Sequence, residues 1–388
     1  MHLEQTEQMK RCLFHTPMPI DPSVAAGSRV RPLNLRAGFE QIGYQVDTIW
    51  GYGAERKRAI EIAKQNVRSG GRYDFLYSES STMPTMLTEK HHFPSYPCLD
   101  FAFFRFCCRN KIPVGLFYRD VYWQFDRCRR SIRWYKRLVT VPCYHLDLLA
   151  YRHWVDVLFL PSVQMSSYVH YWPKEKPIYA LPPGGVLAGG DSVPPRIQKL
   201  RLLYIGGVCS PLYDIGNLLE GVHRAVLAGA NIHLTICCPR EHWEARPMFY
   251  NDWLGGWLTV VHLSGTEAQE MYQHHDIAMV YRVSTPYLEF AMPVKVFEAL
   301  GQGKPIITMN STVVSEFIQE QGCGWNVSPE SDALAGLLQR LAGRPQEVAE
   351  KTRVTQRVRV EHTWAKRAER AASILTAIGR TKRQGRGV

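Results

Sequence analysis

Short apolar runs alternate with longer amphipathic stretches along this chain, and no other feature restricts its fold so strongly. Cys12–His15 reads as a strand, Leu33–Gln41 as a helix and Tyr44–Trp50 as a strand. Helical spacing over Ala54–Ser69 leads to a compact strand at Tyr73–Tyr77, a polar loop at Ser78–Thr82, a helix at Leu99–Asn110 and a strand at Val114–Tyr118. Strands separated by helix-length crossovers imply a parallel sheet.

The pattern breaks once. Leu181-Pro-Pro-Gly-Gly-Val186 and Gly189-Gly-Asp-Ser-Val-Pro-Pro195 concentrate the two strongest breakers of regular structure. A second series follows, with strands at Arg201–Tyr204, Asn231–Cys237, Leu258–His262, Ile277–Tyr281 and Pro305–Thr308. Its helices read at Leu212–Ala228, Thr266–His274, Val294–Leu300 and Ala333–Leu341, and a last long helix spans about His362 to Ile378. The expected organisation is an N-terminal Rossmann-like domain over residues 1–186, a linker over 187–198, a second Rossmann-like domain over 199–370, and a helix end with a basic, disordered tail over 371–388. A length of 388 residues suits two domains, and no fixed-period repeat suggests a solenoid.

Composition narrows the class of partner. Lys and Arg number 47 against 35 Asp and Glu, a net charge of +12 that favours an anionic partner: nucleic acid, anionic lipid or a phosphorylated substrate. No window holds roughly 18 consecutive uncharged apolar residues, so no membrane-spanning helix is expected. The start MHLEQTEQMKRCLFH lacks the basic, apolar and small-residue succession of a secretory leader, and the expected location is cytoplasmic. The ten cysteines include the neighbours Cys107–Cys108 and Cys237–Cys238 but no CxxC, as buried thiols in a reducing compartment would.

The most informative stretch runs from Pro286 to Thr308. Pro293 suits the first turn of a helix that follows the carboxyl end of strand Ile277–Tyr281, a position where open parallel sheets bind anions and nucleotides. Val294, Phe297 and Leu300 fall three apart and would face the core, which leaves Lys295 and Glu298 together on the other side. Glu298 could accept from ribose hydroxyls and Lys295 could contact a phosphate. The same spacing describes an exposed i,i+3 salt bridge worth about 0.2–0.5 kcal/mol.

These residues resemble the nucleotide-sugar domain of GT-B glycosyltransferases, especially family 4. Pro293, Lys295, Phe297, Glu298, Gly303, Lys304 and Pro305 match a segment that closes the donor site in many members. Leu202-Leu-Tyr-Ile-Gly206-Gly207 looks like the glycine turn after that domain's first strand, and Trp364 like the opening of the late helix. The resemblance covers roughly residues 199–375 and the first half in outline. It implies an α/β GT-B fold, two Rossmann-like domains facing a central cleft, and a nucleotide diphosphate sugar as donor, with no cofactor and no metal. Two departures stand out. Gly207-Val-Cys-Ser-Pro-Leu-Tyr-Asp214 lacks the Arg and Lys that retaining members often place there, so Arg282, with Arg240 and Lys295 behind it, would stabilise the leaving diphosphate. Glu289 stands one residue out of register for a two-glutamate pattern with Glu298.

In the first half, Asp120 follows strand Val114–Tyr118 and could take the acceptor's hydroxyl proton in an inverting transfer. It could equally cap the next segment or pair with Arg119 or Arg127. The loop Gly27–Arg31 offers Ser28 and Arg29 to an anionic acceptor. His91-His92 and His274-His275 lack ligand-spaced partners apart from Asp276 and read as solvated or core histidines.

Arg127–Arg137 (RCRRSIRWYKR) holds six basic residues and no acid, with Ile132, Trp134 and Tyr135 among them, and Phe101–Phe106 is similarly aromatic. Such a surface suits an anionic leaflet, single-stranded nucleic acid, or a solvated face whose aromatics belong to the core. The ordered Rossmann-like pattern argues against nucleic acid. The sequence thus points to a glycosyltransferase on the inner face of the membrane, passing sugar to a cell-envelope or capsular glycan acceptor carried on a lipid. A catalytically silent sugar-nucleotide-binding or assembly subunit is the alternative.

Overall fold

The computed structural model describes residues 9–20, 27–125, 133–189, 198–208, 213–281 and 285–384, with residues 27–29 described by backbone alone. The chain divides into two units, Met1–Pro182 with Trp364–Val388, and Pro183–Thr363.

The first unit runs β1 (Arg11–His15), α1 (Gly27–Gln41), β2 (Gln45–Ile49), α2 (Gly53–Arg68), β3 (Phe75–Glu79), α3 (Leu99–Arg109), β4 (Val114–Phe117), α4 (Trp134–Trp154), β5 (Val157–Leu160) and β6 (Ile178–Ala180). Its strands form one sheet in the order β2-β1-β3-β4-β5-β6, all pairs parallel. Every residue of β3, β4 and β5 is buried, as expected of parallel strands covered by helices on both faces. Phe14, Phe39, Phe75, Tyr77 and Phe159 form the aromatic centre of one core layer.

The second unit runs β7 (Leu200–Ile205), α5 (Gly216–Leu227), β8 (Ile232–Cys237), α6 (Arg240–Glu244), β9 (Leu258–Val261), α7 (Gly265–Glu270), β10 (Ile277–Val280), α8 (Pro286–Glu289), α9 (Val294–Gly301), β11 (Ile306–Met309), α10 (Val313–Gln321), β12 (Gly324–Val327), α11 (Ser331–Gly343) and α12 (Pro345–Val358). Its sheet order is β12-β11-β10-β7-β8-β9, again parallel throughout. The last helix, α13 (Trp364–Gln384), belongs to the first unit and packs along α1. A Cβ at Gly38 would lie 2.7 Å from the Trp364 carbonyl oxygen, so only glycine lets α1 approach α13 this closely.

Several elements depart from the sequence reading. Gly27–Arg31, expected as a loop, is the first part of α1; Gly and Pro32 disfavour helix interiors, and packing against α13 outweighs that preference. α4 and β5 follow each other with two residues between them, so their apolar positions merge into one run without clear periodicity. β6 and β12 are short edge strands, and β12 contains Gly324 and Asn326, poor strand formers. α10 and α12 also lie outside the helices read from the sequence. The polar loop expected at Ser78–Thr82 begins later, because Ser78 and Glu79 finish β3 and are buried. Helical structure continues to Gln384 where a disordered tail was expected. The units divide at 182/183 and 363/364, compared with the expected linker at 187–198 and boundary at 370. Residues 190–197 of that linker lie outside the described residues.

Candidate active site

In the second unit the chain passes from β7 out to β8 and β9, then returns to place β10 on the other side of β7. The carboxyl ends of β7 and β10 therefore flank the point where the winding reverses, which is where open α/β sheets bind ligands. Gly206 and Gly207 form the turn at the end of β7, and the Tyr204 hydroxyl donates to the Gly207 carbonyl at 2.6 Å. A Cβ at Gly207 would lie 3.2 Å from His242 Nδ1 and 3.3 Å from the Tyr213 ring. The turn is thus walled by two rings that the sequence reading did not single out, and His242 Nδ1 is buried without a hydrogen-bond partner. Arg240 opens α6, two residues before His242, and is exposed.

Across the reversal, Tyr281 follows β10 and donates its hydroxyl hydrogen to the Pro329 carbonyl at 2.8 Å. Arg282 lies outside the described residues. Thr285 caps α8 by accepting from the Leu288 backbone N–H. Pro293 is the N-cap of α9, one residue before the first-turn position expected for it, with φ −75° as its ring requires. The buried face of α9 is Val296, Phe297, Ala299 and Leu300, whereas Val294 is only half-buried, so the expected core stripe is shifted.

The expected pair is present: Lys295 Nζ donates to Glu298 Oε2 at 2.7 Å, with the lysine side chain 39% and the glutamate 15% exposed. This is the i,i+3 salt bridge, with the lysine partly exposed and the glutamate mostly buried. Lys295 acts electrostatically as far as the end of β8: burial pushes the Cys237 thiol up, and the Lys295 charge offsets part of that.

The first unit reverses its winding between β1 and β3. Glu79, fully buried at the end of β3, accepts through Oε1 from Arg31 Nε at 3.0 Å and the Tyr77 hydroxyl at 3.1 Å, and through Oε2 from Arg119 Nη2 at 3.0 Å. The Arg31 guanidinium stacks 3.5 Å from the Phe117 ring centroid, and its Nη1 has no hydrogen-bond partner. The Arg119 backbone N–H donates to Ser80 Oγ at 3.0 Å. Arg119 is therefore held at two points, and the next residue, Asp120, emerges from a fixed backbone. Asp120 is half-buried, and its Oδ1 accepts from the Tyr122 backbone N–H at 2.8 Å, the local cap allowed for in the sequence. Ser28 and Arg29 lie in the first turn of α1, and their side chains lie outside the described residues.

Beside this cluster, His15 contacts Ser78 Oγ through Nδ1 at 2.8 Å and Asp100 Oδ1 through Nε2 at 2.9 Å, and Arg56 bonds both Asp100 oxygens. Although Ser, His and Asp are the residue types of a hydrolase, all three are about 1% exposed, so the network braces β1, β3, α2 and α3. His275 is likewise occupied, by the Met271 carbonyl and the Thr235 hydroxyl. Among the described residues, no three His, Cys, Asp or Glu side chains are grouped to hold a metal ion.

The basic aromatic segment is described from Arg133 onward; residues 126–132, with Arg127, Arg129 and Arg130, lie outside the described residues. The start of α4 exposes Trp134, Tyr135, Leu138 and Val139 at 67%, 46%, 68% and 56%, alongside exposed Arg133 and Lys136. Phe103 and Phe104, by contrast, are core residues, which removes them from any surface. No helix among the described residues is long and apolar enough to cross a membrane.

Residues 217–373 match the family model described as glycosyl transferase-like. No curated protein matches the sequence. Sucrose-phosphate synthase from Thermosynechococcus elongatus is similar at 14% identity and TM-score 0.60, over 96% of this chain and 100% of that one. HepE from Anabaena, solved in complex with UDP and glucose, is similar at 10% identity and TM-score 0.62, over 95% and 100% of the two chains. WaaG, a glycosyltransferase involved in lipopolysaccharide biosynthesis, follows at 14% identity and TM-score 0.56, over 94% and 99%. Identities this low establish a shared fold. The chain therefore has the GT-B fold throughout, and over residues 217–373 its sequence is similar to the glycosyl transferase-like family.

Proposed function

We propose that the chain transfers a sugar from a nucleotide diphosphate sugar to a cell-envelope or capsular glycan acceptor carried on a lipid. The observation that carries this reading is the pairing, in one unit, of the glycine turn after β7, where any Cβ at Gly207 would press on His242 and Tyr213, with the partly exposed Lys295–Glu298 pair on α9. In the proposed site the backbone of the turn at Gly206 and Gly207 approaches the diphosphate, and Glu298 accepts from the ribose hydroxyls. Lys295, Arg282 and Arg240 offset the charge that develops as the bond from the anomeric carbon to the diphosphate oxygen breaks. The acceptor belongs to the first unit, with Ser28 and Arg29 beside it. Asp120 takes the proton of its hydroxyl while the new glycosidic bond forms. The reading needs no resident metal or cofactor.

The exposed apolar and basic start of α4 supports a cytoplasmic enzyme that lies on the inner membrane face, where each cation near an anionic leaflet contributes about 1 kcal/mol. WaaG, being involved in lipopolysaccharide biosynthesis, favours an envelope glycan as acceptor, and HepE, solved with UDP, makes UDP the first nucleotide to try. Titration of the full chain with UDP, GDP and ADP should give sub-millimolar affinity for at least one, weakened by Glu298→Ala. Equal affinity in wild type and variant removes Glu298 from the site. The base-free stretch Gly207–Asp214 favours a second reading, a silent sugar-nucleotide-binding or assembly subunit. Nucleotide binding without product from any donor, in the presence of lipid extract, would select it.

A further inference from the structure

The last turns of α2, one face of α3 along its length from Cys98 to Arg109, and the end of α4 line a groove of about 450 Å³ in the first unit. These helices lead into β3, β4 and β5, so the basic end of the groove, at Arg68 and Arg109, lies toward the amino-terminal edge of the sheet, opposite the edge that carries Glu79 and Asp120. Four cations line it: Lys64 and Arg68 from α2, and Arg105 and Arg109 from α3. Phe101, Phe106 and Trp154 supply its apolar wall. Arg105 lies 5.5 Å from the Trp154 ring centroid, and Lys64 lies 5.9 Å from that of Phe106.

Basic residues in the last turn of a helix need no ligand, because each offsets the partial charge of its carboxyl end. That accounts for Arg68 and Arg109. It leaves Lys64 and Arg105, each four residues earlier, so that both helices present a like-charged i,i+4 pair to the same groove. Such pairs destabilise a helix. Glu61 neutralises Lys64 at 2.8 Å, but among the described residues no carboxylate pairs with Arg68, Arg105 or Arg109. Three helix ends contribute a charge of about −0.5 each, and with Glu61 they still leave the four cations in surplus. The volume falls within the range of small-molecule sites. Arginine forks match phosphate oxygens, and the ring wall suits a carbon body.

We propose that this groove binds a phosphate monoester, its phosphate held by Arg105 and Arg109 with Arg68, and its carbon body lying on Phe101, Phe106 and Trp154. The site is separate from the donor and acceptor residues and does not depend on their assignment. A bilayer lipid such as phosphatidic acid and a small soluble ester share this chemistry, and the test separates them. The full chain, with saturating UDP present to occupy any nucleotide site, is titrated with phenyl phosphate, with monomeric dihexanoylphosphatidic acid and with inorganic phosphate. At least one ester should bind ten-fold more tightly than inorganic phosphate; preference for the lipid identifies a bilayer source, and preference for phenyl phosphate a soluble one. The paired substitution Arg105→Gln, Arg109→Gln should reduce that affinity at least ten-fold with the circular dichroism unchanged, and Arg68→Gln on the neighbouring helix should weaken it independently. Esters that bind no better than inorganic phosphate, or an affinity untouched in both variants, overturn the proposal.

Discussion

Glu79 and Arg119 lie 40 residues apart in sequence and meet at 3.0 Å, where the end of β3 stands beside the end of β4. Because Glu79 also holds Arg31, one fully buried carboxylate fixes the start of α1 and the segment leading into Asp120. Removing one partner of a buried pair typically costs about 3–5 kcal/mol, since the other charge stays desolvated. Glu79→Gln should therefore lower the unfolding free energy by about that amount in urea titrations. A loss below about 1 kcal/mol would mean that solvent already reaches Arg31 and Arg119.

Asp120 carries a separable prediction, because its cap and its proposed chemistry use different properties. Asparagine at 120 still offers an oxygen to the Tyr122 N–H but cannot take a proton. With a nucleotide sugar and a working acceptor, Asp120→Asn should lower transfer at least ~100-fold while melting temperature and nucleotide affinity stay near wild type. Transfer at the wild-type rate would favour a retaining route without an enzymic base.

Asp147 gives the fold a pH dependence. Its Oδ2 accepts from the Thr85 backbone N–H at 2.7 Å, its Oδ1 is buried without a partner, and burial raises its pKa to about 7. Unfolded, an aspartate titrates near ~3.9, so between roughly pH 4 and pH 7 the native state holds a proton that the unfolded chain has released. The protonated form's contribution is complete below that lower value, falls as pH rises through the interval and is gone above about 7. Asp147→Asn keeps an acceptor for Thr85 and cannot ionise. Urea midpoints measured from pH 4 to pH 8 should fall less steeply for the variant than for wild type; parallel curves would mean that Asp147 is not the group responsible.

The start of α4 should bind anionic vesicles. Arg133→Glu with Lys136→Glu should weaken co-sedimentation and its salt sensitivity, because exposed charges are screened within ~8 Å at physiological ionic strength. Trp134→Ser with Leu138→Ser should weaken binding even at low salt, because it removes apolar area without changing charge. Equal binding to neutral and anionic vesicles would leave only an apolar contact.

Nearest-neighbour chemistry determined much of this protein. Alternating apolar and amphipathic runs specify strands and crossovers locally, so the sequence alone was enough to read two parallel α/β units, the glycine turn at Gly206 and Gly207, and the placing of Lys295 beside Glu298 one helical turn on. What depended on pairing across tens of residues was not legible. Nothing local marks Arg31 as the partner of Glu79, 48 residues away, or Ser78 and Glu79 as the buried end of a strand; their polarity reads as loop until β1 and β4 enclose them. Gly27 and Pro32 argue against a helix until α13 packs along α1 through Gly38. The same packing returns the last helix to the first unit. Local propensity amounts to tenths of a kcal/mol for most residues and to about 1 for Gly and about 3 for Pro, whereas packing a helix buries several side chains at about 1.5–3 kcal/mol each and a buried charge left unpaired costs about 3–5, so wherever the two conflicted the tertiary structure decided.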